Sequence, residues 1–175
     1  IKSDFVDFLR IFQFKRSFIE ARADGETLSI MAHGPQVHVM AFEIFVLAIV
    51  NELYFRRSDQ GAAIAEGRKR LAAKIKRVQS LADEAPMLNP FEMFDFGVRR
   101  RFSGAWQREV VQAFAEQTPQ WFKGTSNVLL ARDMNLVPIG TMAHEYLQTY
   151  HALGVRLRDF QKYALEDWVQ DYRGD

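Results

Sequence analysis

The chain has 175 residues, 48% hydrophobic and 26% charged, which excludes a disordered segment and suits one globular domain or part of a larger enzyme. Its net charge of +1 lacks the basic excess of a dedicated nucleic-acid binder, and the absence of cysteine excludes disulfides and thiolate metal sites. Residues 1–20 alternate charge with aromatics and do not read as a signal peptide; the most apolar run, 44–50, is far shorter than the ~20 residues that cross a bilayer.

Phe5, Phe8, Leu9 and Phe12 recur at helical spacing and predict a helix within 3–14. Residues 17–22 and 27–31 read as strands joined at Asp24-Gly25, a hairpin signal. Gly34-Pro35 breaks the second strand, and 36–41 alternates weakly, as a third strand would. Residues 42–55 are apolar nearly all round, with Glu43, Asn51 and Glu52 as exceptions, and predict a helix buried on most faces. Residues 59–82 are amphipathic: Leu71, Ile75, Val78 and Ala82 form one stripe, and a basic, solvated face carries Arg68 to Arg70, Lys74, Lys76 and Arg77. Pro86 and Pro90 end this helix and mark a boundary over 83–90.

From 91 onward strands and helices alternate. Strands are predicted over 91–96, 121–124 and 137–141, and helices over 99–117, 126–134 and 142–153. Ser126 or Asn127 caps the second of these helices, and a last amphipathic helix covers 159–172. The pattern is α/β: an N-terminal α+β portion with antiparallel strands (1–58), a connecting helix and linker (59–90), and the first β/α units of a barrel or doubly wound sheet (91–175). A parallel sheet needs more strands to cover both faces, so the alternation reads as an incomplete piece of a longer fold.

Three strand-to-helix junctions carry the chemistry, because sites in such folds collect at the carboxyl ends of strands. The first is FDFGVRRRF (94–102). Its D-F-G triplet is not a kinase motif, since no glycine-rich loop or H-R-D segment accompanies it. Phe96 is either a core aromatic or a ring face for a flat ligand. Arg99, Arg100 and Arg101 fan out by about 200° on a helix, so at most two can meet one anion. The second junction, WFKGTSN (121–127), offers a glycine, two hydroxyls and an amide at a helix start, where free N–H groups attract anions; Lys123 adds charge. The third, VPIGTMAHE (137–145), puts His144 in the first turn of a helix, with core packing, acid–base work and phosphoryl acceptance all open to it. No H-E-x-x-H pattern is present, so no metal set is assigned.

In this order and at these intervals, FDFGVRRRF, WFKGTSN and PIGTMAHE resemble nicotinate phosphoribosyltransferase, and the resemblance extends upstream through EIFVLAIVNELYFR. It implies a phosphoribosyltransferase β/α barrel that makes nicotinate mononucleotide and pyrophosphate from nicotinate and 5-phosphoribosyl 1-pyrophosphate. It also implies Mg²⁺, ATP hydrolysis through a phosphohistidine, and a cytoplasmic homodimer that binds neither nucleic acid nor membrane. By position Phe96 matches the aromatic that stacks on the pyridine, Arg99 the arginine near base and phosphoribosyl phosphates, and His144 the phosphorylated histidine. Ser126 stands where amide-using relatives carry Asp. Arg100, Arg101, Lys123, Gly124, Thr125 and Thr141 lie within the motifs and are implied substrate contacts. The family has sequence before residue 1 and further barrel strands after 175, so this chain alone is expected to be inactive. Two other classes stay open: a nicotinamide-type phosphoribosyltransferase of the same fold, and a non-catalytic anion-binding interaction module.

Overall fold

Two sheets and eight α-helices appear in the computed structural model, which describes residues 3–84 and 91–172. Helix α1 (Ser3–Ile11) leads into the hairpin β1 (Ile19–Asp24) and β2 (Thr27–Ala32), antiparallel and in continuous register from Ile19↔Ala32 to Asp24↔Thr27. Gly25 turns the hairpin at φ 56, a conformation that glycine adopts without steric cost. Residues 36–41 do not form a third strand. Pro35 starts a helical turn, α2 (Gln36–Val39), with the His38 and Val39 amides bonded to the Pro35 oxygen. His38 then sits among Phe8, Phe12 and Phe18, with ring centroids 5.6–6.1 Å away.

Helix α3 (Phe42–Phe55) has the bounds that its apolar run predicts but not the burial. Only Phe42 and Ala48 are buried on it, while Ile49 is 57% and Leu53 52% exposed. Its polar side faces the turn after β3, while the Phe14 ring packs on Phe42 and Phe45 near its start and Phe102 on Phe55 at its end. The 20-residue helical run Gln36–Phe55 contains an 18-residue window of mean hydropathy 1.6, so by length and composition it could cross a membrane, contrary to the short run read from the sequence. Asn51 and Glu52 tie it instead to the backbone of Arg99 and Gly104.

Helix α4 (Gln60–Glu84) is the amphipathic helix, with Leu71 and Ile75 buried. It packs on α5 (Gly104–Gln117) where Gly67 meets the Trp106 ring; a Cβ there would lie 2.9 Å from the indole. Arg68 and Glu109 bridge the same two helices at 2.6 and 3.0 Å. The boundary read over 83–90 lies mostly outside the described residues.

The second sheet is parallel, in the order β3 (Met93–Asp95), β4 (Phe122–Thr125), β5 (Val137–Pro138). Strands β3 and β5 are shorter than their sequence patterns, and β4 keeps its length but starts one residue later. Helix α5 starts five residues later than predicted, because Val98–Arg100 forms a 3-10 turn and Ser103 is the cap, accepting the Trp106 amide at 3.0 Å. Thr118 closes α5, its hydroxyl donating to the Phe114 oxygen at 2.7 Å. Helix α6 (Val128–Asp133) is capped by Asn127, whose Oδ1 accepts from the Leu130 amide. Val111, Phe122 and Leu130 form the core between α5, α6 and the sheet, joined by Met93, Phe114, Met134 and Leu136.

The chain divides into two compact units, Ile1–Ile139 and Gly140–Asp175. In the second, α7 (His144–Ala152) packs on α8 (Phe160–Tyr172). Tyr146 donates to the Ala164 oxygen at 2.7 Å, and Tyr150 to Asp167 Oδ2 at 2.6 Å. The bond to Asp167, then that to Tyr146, holds the Tyr150 hydroxyl well above the usual phenol range.

Candidate active site

Asp95, at the carboxyl end of β3, and Thr125, at the carboxyl end of β4, pair directly across the sheet. The residues that follow them, Phe96 and Ser126, therefore leave adjacent strands at the same edge. The Ser126 amide donates to the Asp95 oxygen at 2.8 Å and locks that edge. Phe96 is 51% exposed, so its ring is not a core aromatic. It lines an open, mainly apolar cleft of about 310 Å³ with Met93, Phe94, Asp95, Val110, Phe114 and Phe122. The basic residues and Ser126 lie outside that lining.

The three arginines separate, as their spacing requires. Arg99 pairs with Glu43 on α3, and its backbone oxygen accepts from Asn51 Nδ2 at 2.7 Å. Arg101 turns inward, 3.8 Å from Glu52 and 3.4 Å from Gln107 Oε1; its Nε is buried without a hydrogen bond. Arg100 points to solvent.

Lys123 bonds the Gln120 oxygen at 2.8 Å, which draws its ammonium toward the amino end of β4, away from the strand-end edge. Gly124 is buried for a steric reason: a Cβ there would lie 2.1 Å from the Val137 oxygen of β5. Thr125 is fully buried, donating to Asp95 Oδ2 at 2.7 Å and accepting the Asn127 amide at 3.0 Å. The amides of Ser126 and Asn127 are thus already engaged, and the helix-start amides expected to hold an anion are partly spent inside the protein. The Ser126 hydroxyl makes no hydrogen bond among the described residues and is the neutral group this turn presents. Thr141 and His144 belong to the second unit, where both are exposed and the His144 ring lies 4.0 Å from Glu145.

Sequence reading missed Asp95 and Gln107 and gave Asn127 a capping role alone, although the three connect the first two junctions, and it gave no partners to Glu43, Asn51 and Glu52. The last three carried a signal, since polar residues on an otherwise apolar helix need partners.

The sequence pattern of the nicotinate phosphoribosyltransferase (NAPRTase) family matches residues 91–175. Over all 175 residues the chain is 65% identical to a nicotinate phosphoribosyltransferase of Herminiimonas arsenicoxydans, of which it spans 44%. Along its whole length the chain is similar to nicotinate phosphoribosyltransferases. The crystal structure of nicotinate phosphoribosyltransferase from Vibrio cholerae superposes with a TM-score of 0.77 at 34% identity, over 97% of this chain and 40% of that one. The nicotinate phosphoribosyltransferase from Porphyromonas gingivalis superposes with a TM-score of 0.82 at 28% identity, over 99% of this chain and 43% of that one. The chain thus spans less than half the length of the nicotinate phosphoribosyltransferases it matches, and its antiparallel hairpin and parallel sheet have counterparts in their fold.

Proposed function

We propose that this protein forms nicotinate mononucleotide and pyrophosphate from nicotinate and 5-phosphoribosyl 1-pyrophosphate. The observation that carries the reading is the 65% identity to the Herminiimonas arsenicoxydans nicotinate phosphoribosyltransferase, sustained from residue 1 to 175. In the reaction the pyridine nitrogen bonds the ribose carbon while the bond to pyrophosphate breaks, so positive charge builds on the sugar and negative charge on the leaving group. Phe96 supplies an open ring face for the pyridine. Arg99 supplies a guanidinium for anionic oxygens, and Glu43 beside it holds its direction. Ser126 supplies a neutral donor where an acidic side chain would repel the nicotinate carboxylate.

Mg²⁺ belongs to the reading, but Asp95 in the first junction and Glu52 of α3 beside it do not fit it. Asp95 accepts from Gly97, Gln107 and Thr125, and Glu52 accepts from Gly104 and faces Arg101. The cation in this reading is carried by substrate pyrophosphate. ATP is the co-substrate, and His144, exposed at the start of α7, is the residue to which its phosphoryl group passes. The reading makes the protein a cytoplasmic homodimer with residues 1–58 in an N-terminal α+β domain, 59–90 as connector and 91–175 in the barrel.

The deciding experiment supplies the full-length protein with 5-phosphoribosyl 1-pyrophosphate and either pyridine and follows mononucleotide by mass. Nicotinate mononucleotide is the expected product. Turnover of nicotinamide alone would assign the amide-using class, and no turnover of either would leave a binding module.

A further inference from the structure

The Asp95 carboxylate turns into the protein. A bulge between Met93 and Phe94 shifts the β3–β4 register by one, so Asp95 stands opposite Thr125 and not Gly124. Thr125 Oγ1 and Gln107 Nε2 both donate to Asp95 Oδ2, at 2.7 and 2.8 Å. Oδ1 accepts the Gly97 amide at 3.0 Å, and a Cβ on residue 97 would lie 2.8 Å from it, so a glycine is needed for this approach. Gln107, 3% exposed on α5, uses its other end as well: Oε1 accepts from Asn127 Nδ2 at 3.1 Å and faces Arg101 Nη1 at 3.4 Å. One amide therefore grips the turn after β3 through Asp95 and the turn after β4 through Asn127. Gln107 and Thr125 are buried with their side-chain polar atoms paired, so displacing either turn leaves a buried polar group without its partner.

We propose that Gln107 is a positioning residue for the pyridine. It fixes the 95–97 turn against the 125–127 turn and so sets the spacing between the Phe96 ring and the Ser126 hydroxyl. The proposal rests on the phosphoribosyltransferase reading, in which those two residues meet nicotinate. Gln107 itself touches no substrate. Only an amide of this length both donates to Asp95 and accepts from Asn127; a carboxylate at the same place accepts alone.

The test uses the full-length protein with Gln107→Glu, Thr125→Val and Thr125→Ser, measuring kcat and the KM of each substrate across pH, with melting temperature as a folding control. In Gln107→Glu the introduced carboxylate opposes Asp95, so at about pH 8 the KM for nicotinate should rise about tenfold or more, since two facing carboxylates resist joint ionisation. The KM for 5-phosphoribosyl 1-pyrophosphate should stay within about twofold. As pH falls, a proton shared by the two carboxylates restores the donor, and the nicotinate KM should return toward wild type. Asp95 and Arg101 are the charged groups facing the new carboxylate; Arg101 moves the recovery to lower pH without removing it. Thr125→Val should raise the nicotinate KM, and Thr125→Ser, which keeps the hydroxyl, should restore it. Equal changes in kcat and both KM values at every pH, or a serine variant as impaired as the valine one, would overturn the proposal in favour of a purely architectural amide. If Gln107→Glu does not fold, the Thr125 pair decides alone. A wild type inactive on nicotinate removes the functional reading and the proposal with it; an active wild type with a pH-independent Gln107→Glu effect removes the proposal alone.

Discussion

Asn51 Nδ2 on α3 donates to the backbone oxygen of Arg99 at 2.7 Å, across 48 residues of chain. Glu43, on the same helix, pairs with the Arg99 guanidinium, so α3 holds this residue at both its backbone and its side chain. Asn51→Leu keeps the apolar character of α3 but leaves a part-buried carbonyl without its donor. The expected cost is about 1–3 kcal/mol, read as a lower urea midpoint at constant m value. An unchanged midpoint would mean that water replaces the amide without penalty.

Phe96→Ala removes the exposed ring at the end of β3. The change should weaken nicotinate by about 0.5–1.5 kcal/mol beyond the lost area, with a smaller effect on the phosphoribosyl substrate. Arg99→Ala removes a charge-assisted donor and should raise the KM of both substrates. Small and equal effects on both KM values from either change would return that residue to a packing role.

His144→Ala addresses the coupling to ATP. Wild type incubated with labelled ATP should yield an acid-labile, base-stable phosphoryl adduct that the variant lacks. Uncoupled synthesis should survive in part, because Phe96, Arg99 and Ser126 are intact. Undiminished labelling of the variant would place the phosphoryl group on another residue.

Ser126→Asp tests acid against amide selectivity. A carboxylate here would face the nicotinate carboxylate with like charge, and kcat/KM for nicotinate should fall about a hundredfold, roughly 2.7 kcal/mol at 1.36 per decade. Any gain on nicotinamide should be smaller, since repulsion is easier to build than a new fit. Unchanged nicotinate turnover in a folded variant would mean that selectivity lies elsewhere.

The Arg68–Glu109 bridge between α4 and α5 gives an acid-side prediction. The hydrogen bond from Arg68 holds the Glu109 carboxyl below the usual carboxylate range. A folded pKa below the unfolded one adds stability that is complete above the unfolded value and lost as pH falls through the folded one. Thermal midpoints should therefore drop on acidification through the carboxylate range, and Glu109→Gln should flatten part of that drop. The pair is solvent-exposed, so the difference should shrink in high salt. An identical acid limb in the variant would assign the drop to other carboxylates.

The sequence by itself determined the elements that depend on local pattern. The α3 bounds, the Gly25 hairpin, the amphipathic α4 and the three strand-to-helix junctions follow from side-chain period and turn chemistry, which neighbours in sequence specify. The ordered motifs FDFGVRRRF, WFKGTSN and PIGTMAHE also carried the resemblance to nicotinate phosphoribosyltransferases. Tertiary structure decided what depends on register and packing. Whether 36–41 pairs as a strand rests on a competition between sheet and helix that Pro35 tips toward helix. The burial of α3 depends on what packs against it, which its own apolar residues cannot state. Thr125 faces Asp95 because one bulge displaces Gly124, and a single-residue shift of register leaves no trace in composition or period. Lys123 draws toward the amino end of its strand for the same kind of reason: its partner, the Gln120 oxygen, exists only once the turn before β4 has folded.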